Sequence, residues 1–249
     1  MSYRHFALSA VLCIASLTGA SAEEPRAVIE LFTSQGCSSC PPADKLLAEL
    51  SRDPSLVTMS LPVDYWDYLG WKDTLALHGH SNRERAYADV RGDHEVFTPQ
   101  VVIDGVVHVL GSDKSAIEAA IAATRHKSAA LELPVTMTVA DGKVTVEVPD
   151  ATDDHRSAEV WLCPITHKVT VDVERGENNG RKLTYTNVVR SWVRLGNWNG
   201  KAQMFTIPVA EIERGNFKLE DIDQLSVLVQ TGMATKPGVI LGAATASLR

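Results

Sequence analysis

Cys37 and Cys40, in Cys37-Ser38-Ser39-Cys40, stand between an apolar run, Ala27-Val28-Ile29-Glu30-Leu31-Phe32, and a helical pattern that starts at Pro41-Pro42-Ala43-Asp44. A pair so spaced can close a small disulfide ring, and the free amides and dipole of a helix N-terminus stabilise a thiolate on the outer sulfur. A thiolate is the nucleophile of disulfide exchange, so the expected chemistry is redox. Cys37, nearer the N-terminal edge, is expected to be the more exposed and acidic and to attack; Cys40 is expected to resolve the mixed disulfide. A static disulfide is one alternative. Metal handling through Cys37, Cys40 and a histidine is another, although no second C-x-x-C or H-x-x-x-H supplies the missing zinc ligands, and no metal or cofactor is expected. His78 and His80 form an H-x-H pair on a polar segment, which reads as solvent-facing.

Other side chains could serve the pair. Glu30 interrupts an apolar strand upstream of Cys37, and either acts as the general base for Cys40 or points outward to pair with a base such as Arg26. Tyr65 and Trp66, with Tyr68 and Trp71, gather aromatic area beside Asp64 and Asp67, as core or as a groove wall that binds a substrate. Cys163 reads as a small buried hydrophobe. Gly176 to Gly180 reads as a turn, and Glu177, Arg181 and Arg190 are candidates to line an interdomain site.

These residues need elements to position them. The apolar run at Ala27 leads into a helix from Pro42 to Ser51 with Ala43, Leu46, Leu47 and Leu50 on one face; a second apolar run covers Ser55 to Val63. A polar helical stretch follows from about Ser81 to Val90, then a hairpin around Asp104-Gly105 and a helix capped by Ser112. This order is similar to the thioredoxin-like arrangement. In such proteins a cis-proline faces the disulfide, and the resemblance implies that role for Thr98-Pro99, with a cis bond and with Thr98 backbone meeting the substrate. They also carry a buried carboxylate on the first strand, near the position of Glu30 but shifted by one residue. From Leu131 onward alternating apolar residues and turns such as Asp141-Gly142 indicate short strands at regular spacing. The expected fold is an α/β thioredoxin-like domain over 23–128, a linker near His126 to Ala130, and an all-β, sandwich-like domain over 129–249.

The segment Ala27 to Asp44, with Val63-Asp64-Tyr65-Trp66-Asp67, Thr98-Pro99-Gln100, Arg175 to Arg181 and Asn187-Val188-Val189-Arg190, resembles a family of secreted bacterial proteins known as domain of unknown function 1223. The resemblance covers nearly the whole chain after residue 22 and implies a thioredoxin-like fold with a β-rich C-terminal part, without an assigned activity. Pro62 departs from it, standing where a histidine is expected.

Arg4 and His5 precede an apolar stretch from Phe6 to Leu17, and Ala20-Ser21-Ala22 provides an A-x-A site, so residues 1–22 read as a signal peptide cleaved after Ala22, with a periplasmic or secreted destination. Removal of Cys13 leaves Cys37, Cys40 and Cys163, an odd number that fits one reversible pair better than a disulfide framework. The net charge of -7, pI near 5.6 and scattered Lys and Arg argue against nucleic-acid binding, and no second apolar segment is long enough to span a bilayer. The expected function is thiol:disulfide oxidoreduction on a protein or small molecule carrying thiols or a disulfide, reset by an unidentified redox partner. The alternative is a non-catalytic binding or assembly protein.

Overall fold

A computed structural model of the chain describes residues 25–127, 129–151, 157–213 and 217–249. The expected signal peptide with its cleavage site, and Ser128 in the expected linker, lie outside these residues. The order is β1 (Ala27–Thr33), α1 (Pro41–Leu50), β2 (Leu56–Pro62), α2 (His78–Arg91), β3 (Gln100–Ile103), β4 (Val107–Leu110) and α3 (Lys114–Lys127). Then come β5 (Thr136–Ala140), β6 (Lys143–Val148), β7 (Ala158–Asp172), β8 (Lys182–Val189), β9 (Val193–Trp198), β10 (Gln203–Pro208), β11 (Gln224–Met233) and β12 (Lys236–Ser247).

Local chemistry explains the elements nearest the cysteines. β1 is buried along its whole length because β2 and β3 flank it and both its faces are covered, which is why it carries no polar alternation. Pro41 and Pro42 open α1, where a missing N–H costs nothing, and Ala43, Leu46, Leu47 and Leu50 turn inward. Asp104 and Gly105 both have positive φ (52° and 73°), the geometry of the tight hairpin expected there. A side chain on Gly105 would also strike the Gly238 carbonyl, so the turn is pressed against β12.

Among the described residues nine strands form one mixed sheet, ordered β12-β11-β7-β8-β2-β1-β3-β4 with β9 also paired to β7; β10, β6 and β5 form a second sheet. This corrects the expected fold class. Among the described residues strand outweighs helix, 42% against 21% with three α-helices, and the first four strands do not close off an α/β thioredoxin-like domain ahead of a separate sandwich. β2 pairs in parallel with β8 at Ser60 and Val188, and Asn187 Nδ2 donates to Thr58 Oγ1 at 2.8 Å across the same seam. One buried cluster mixes Phe32 and Met59 with Cys163, Leu228 and Ile240. The physical reason is the free edge of β2: unpaired N–H and C=O groups there demand a partner, and β8 supplies it. No described helix is long and apolar enough to cross a membrane.

Candidate functional site

Cys37 and Cys40 form a disulfide with their Cα atoms 5.4 Å apart, in the connection between β1 and α1. The loop is tied by its own backbone, Cys37 N–H donating to the Ser34 carbonyl at 3.2 Å and Cys40 N–H to the Cys37 carbonyl at 3.3 Å. Gly36 is required by close approach, since a Cβ there would lie 2.9 Å from Trp66 Cβ. The expected difference in exposure between the sulfurs is small: Cys37 is 2% exposed and Cys40 0%, with Ser38 and Ser39 facing solvent instead.

The two cysteines differ in their neighbours. Cys37 Sγ lies 3.7 Å from the Thr98 carbonyl oxygen and 3.4 Å from Ser39 Oγ. As a disulfide this sulfur has no proton and only touches the carbonyl; as a thiol it can donate to it. The Thr98–Pro99 bond is cis. Thr98 is fixed from behind by Trp66, whose Nε1 donates to Thr98 Oγ1 at 2.7 Å, and the Pro99 carbonyl accepts from Gly111 N–H at 2.9 Å. The structure therefore gathers Cys37, Cys40, Thr98, Pro99 and Trp66.

The connection between β7 and β8 completes the loop from the far half of the chain. Gly176 and Gly180, at φ 75° and 77°, turn it back on itself. Its tip puts Asn178, fully buried, against the cysteine loop, where Nδ2 donates to the carbonyls of Gln35 and Cys37, each at 2.9 Å. Arg181 Nη1 holds the Asn178 Oδ1 at 2.7 Å, and Glu177 accepts from Ser38 N–H at 3.3 Å. Glu177 and Arg181 thus reach the site, whereas Arg190 lies at the end of β8, its N–H bonded to the Pro164 carbonyl. Asn178 carried no chemical signal in the sequence beyond a turn.

A second group missed by sequence reasoning is Asp44, one helical turn after Cys40 on the same side of α1. Its Oδ1 accepts from Thr33 Oγ1 at 2.8 Å while its buried Oδ2 has no partner. Burial raises its pKa to about 8, the Thr33 hydrogen bond opposes that, and the nearby Asp73 charge adds to it. Asp73 itself is raised to about 6, chiefly by burial, although it accepts the N–H groups of Gln35 at 2.7 Å and Leu75 at 2.8 Å. A carboxyl on the buried face of a helix, among Ala43 and Leu47, was the available signal.

Glu30 is not part of this group. Its strand neighbours Val28 and Phe32 pack on the α2 side, whereas Ile29 and Leu31 face α1. Glu30 accordingly points away from the disulfide, held by Arg83 at 2.6 and 3.1 Å and by the Tyr87 hydroxyl at 2.6 Å. The base expected for it, Arg26, pairs with Asp53. Tyr65 stands beside Trp66 but gives its hydroxyl to the buried Glu84 at 3.3 Å; Trp66 stacks on the exposed Tyr68. The H-x-H pair divides. His78 is exposed and bonds Asp64, whereas His80 is buried with Nδ1 on the Pro62 carbonyl. Among the described residues no group of three or more His, Cys, Asp or Glu is arranged to hold a metal ion. Cys163 is buried and unpaired, its thiol pushed up by desolvation.

A family model described as a protein of unknown function, DUF1223, matches residues 28–230. The chain belongs to the DUF1223 family. The crystal structure of protein AGR_C_4864 from Agrobacterium tumefaciens is similar to this DUF1223 chain at 32% identity and a TM-score of 0.77, over 90% of this chain and 94% of that one. HBP35 of Porphyromonas gingivalis is similar in fold, with a TM-score of 0.58 at 13% identity over 90% of this chain and 76% of that one. No curated protein matches the chain.

Proposed function

We propose that this DUF1223 protein carries out thiol–disulfide exchange at Cys37 and Cys40, outside the cytoplasm, on a protein or small molecule bearing thiols or a disulfide. The observation that carries the reading is the setting of the disulfide: at the start of α1, with the Thr98 carbonyl 3.7 Å from Cys37 Sγ and the Asp44 carboxyl one turn beyond Cys40. A substrate thiolate attacks Cys37 Sγ, the Cys37–Cys40 bond breaks, and a mixed disulfide forms on Cys37. Cys40 leaves with the electron pair and takes a proton from Asp44, whose pKa of about 8 keeps it protonated near neutral pH. A second substrate thiolate then attacks the substrate sulfur, releasing Cys37 as a thiolate and the substrate as a disulfide. Run backwards, the same steps reduce a substrate disulfide, with Asp44 as the base that deprotonates Cys40. Thr98 N–H has no protein partner among the described residues and is free to bind substrate backbone.

Burial of both sulfurs favours a second reading, a static disulfide that stiffens a binding surface. Cys40→Ala distinguishes them. Exchange predicts that Cys37 accumulates mixed disulfides with other proteins or with added small disulfides in the variant. Absence of any adduct, together with a wild-type pair that resists dithiothreitol in the folded protein, supports the static reading.

A further inference from the structure

A second cleft lies at the N-terminal end of α2, away from the cysteines. Trp161 follows the alternation of β7 onto the face shared with Cys163 and Ile165, which α2 covers further along. Near the first turn of α2 that cover ends, leaving Trp161 and Trp192 half-buried with ring centroids 6.3 Å apart and planes at 78°. The Arg83 guanidinium lies 4.4 Å from the Trp192 ring centroid. Gly79 and Asn82 of α2 and the turn at Ala234-Thr235 close the rest, around a cavity of about 300 Å³.

The lining defines what fits. The volume is at the lower end for small-molecule sites, which suits one or two rings. Two indoles set nearly at right angles offer flat apolar walls, to which a planar aromatic body is complementary in both stacked and edge-on contact. The polar groups are donors. Arg83 uses Nε and Nη2 on Glu30, Tyr87 and Gln230. Its Nη1 has no protein partner among the described residues, although the side chain is only 9% exposed. Asn82 accepts from Arg85 through Oδ1, which leaves its amide N–H groups free. α2 begins without a side-chain cap at Leu77, so the Gly79 N–H at the positive end of the helix is also open. No Asp or Glu lines the cavity.

The geometry points to a binding site for small planar aromatic carboxylates, with the ring between Trp161 and Trp192 and the carboxylate on Arg83 Nη1, the Asn82 amide and the start of α2. Glu30 already neutralises one side of Arg83, so affinity for a simple probe is modest, with a Kd on the order of 1 mM.

The test titrates the full chain with indole-3-acetate, indole and acetate, following tryptophan indole N–H resonances by NMR. Saturable binding of indole-3-acetate, about tenfold tighter than either fragment, is expected to shift the Trp161 and Trp192 signals. Ala234→Phe, at an exposed turn position, fills the cavity and abolishes binding, and Asn82→Ala weakens it by about threefold at unchanged melting temperature. Absence of saturation, equal affinity for indole, or unchanged affinity in either variant overturns the assignment.

Discussion

Asp44→Asn isolates the buried carboxyl one helical turn after Cys40. In the folded protein this group titrates at about 8 against an ordinary 3.8, so the native state keeps a proton that the unfolded chain releases. Stability must therefore fall as pH rises between those two values, because the unfolded state binds fewer protons throughout that window. Each pH unit inside it costs about 1.4 kcal/mol, so moving from about pH 5 to about pH 8 removes roughly 3–4 kcal/mol, the slope flattening as the folded value is reached. Asparagine accepts from Thr33 through its Oδ1 and cannot ionise, so this slope disappears. Asp73 adds a smaller slope of its own in both proteins. Urea unfolding across this pH range is the assay. The two proteins are expected to be of similar stability near pH 5, with the variant ahead by about 3 kcal/mol near pH 8. The same variant should exchange its disulfide with dithiothreitol about 100-fold more slowly at neutral pH, having lost the proton donor to Cys40. A wild type whose stability is flat over the range, or a variant that declines in parallel with it, refutes the burial argument; an unchanged exchange rate refutes the proton-transfer role alone.

Burial lowers the His80 pKa from 6.5 to about 4, so stability is intact above 6.5 and falls as pH drops toward 4, by about 3 kcal/mol in total; His80→Gln should remove that acid slope in denaturant titrations. Asn178→Ala removes two buried hydrogen bonds and leaves the Gln35 and Cys37 carbonyls without that donor, which should cost about 2–4 kcal/mol in urea unfolding and increase dithiothreitol access to the disulfide. Trp66→Phe deletes the bond to the Thr98 hydroxyl and should cost about 1 kcal/mol, read from the shift in urea midpoint, while the disulfide still forms.

What the sequence made legible was local. The strand, turn and helix that hold Cys37 and Cys40 follow from an apolar run, a Pro-Pro start and helical spacing within a few residues of one another, and Asp104-Gly105 and Asp141-Gly142 both form their turns with positive φ. What it hid was pairing over long separations. Alternation along β2 and β8 reports which faces are buried, but nothing in it says that Ser60 lies beside Val188, and that seam joins the first strands to the later ones in one mixed sheet. The run Leu183 to Val193 reads as one strand, yet β8 ends at Val189 and β9 starts at Val193, because β7 bonds first one and then the other along its length. Glu30 shows the limit at a site: a carboxylate in a strand announces burial, and only the facing helix, with Arg83 and Tyr87, decides that it serves as an ion-pair partner.

The Asn178 clamp also sets an order of events in the life of the chain. Synthesis delivers the cysteines early, whereas the residue that locks their loop arrives 138 positions after Cys40. Until β7 and β8 have paired, the Gln35 and Cys37 carbonyls lack their side-chain donor, and the cysteine loop is not yet held from the far half of the chain. The disulfide joins residues only three positions apart, so its closure does not wait for the later strands. Completion of the far hairpin then sets Asn178 against the loop, so the C-terminal half acts as the finishing step of the cysteine site.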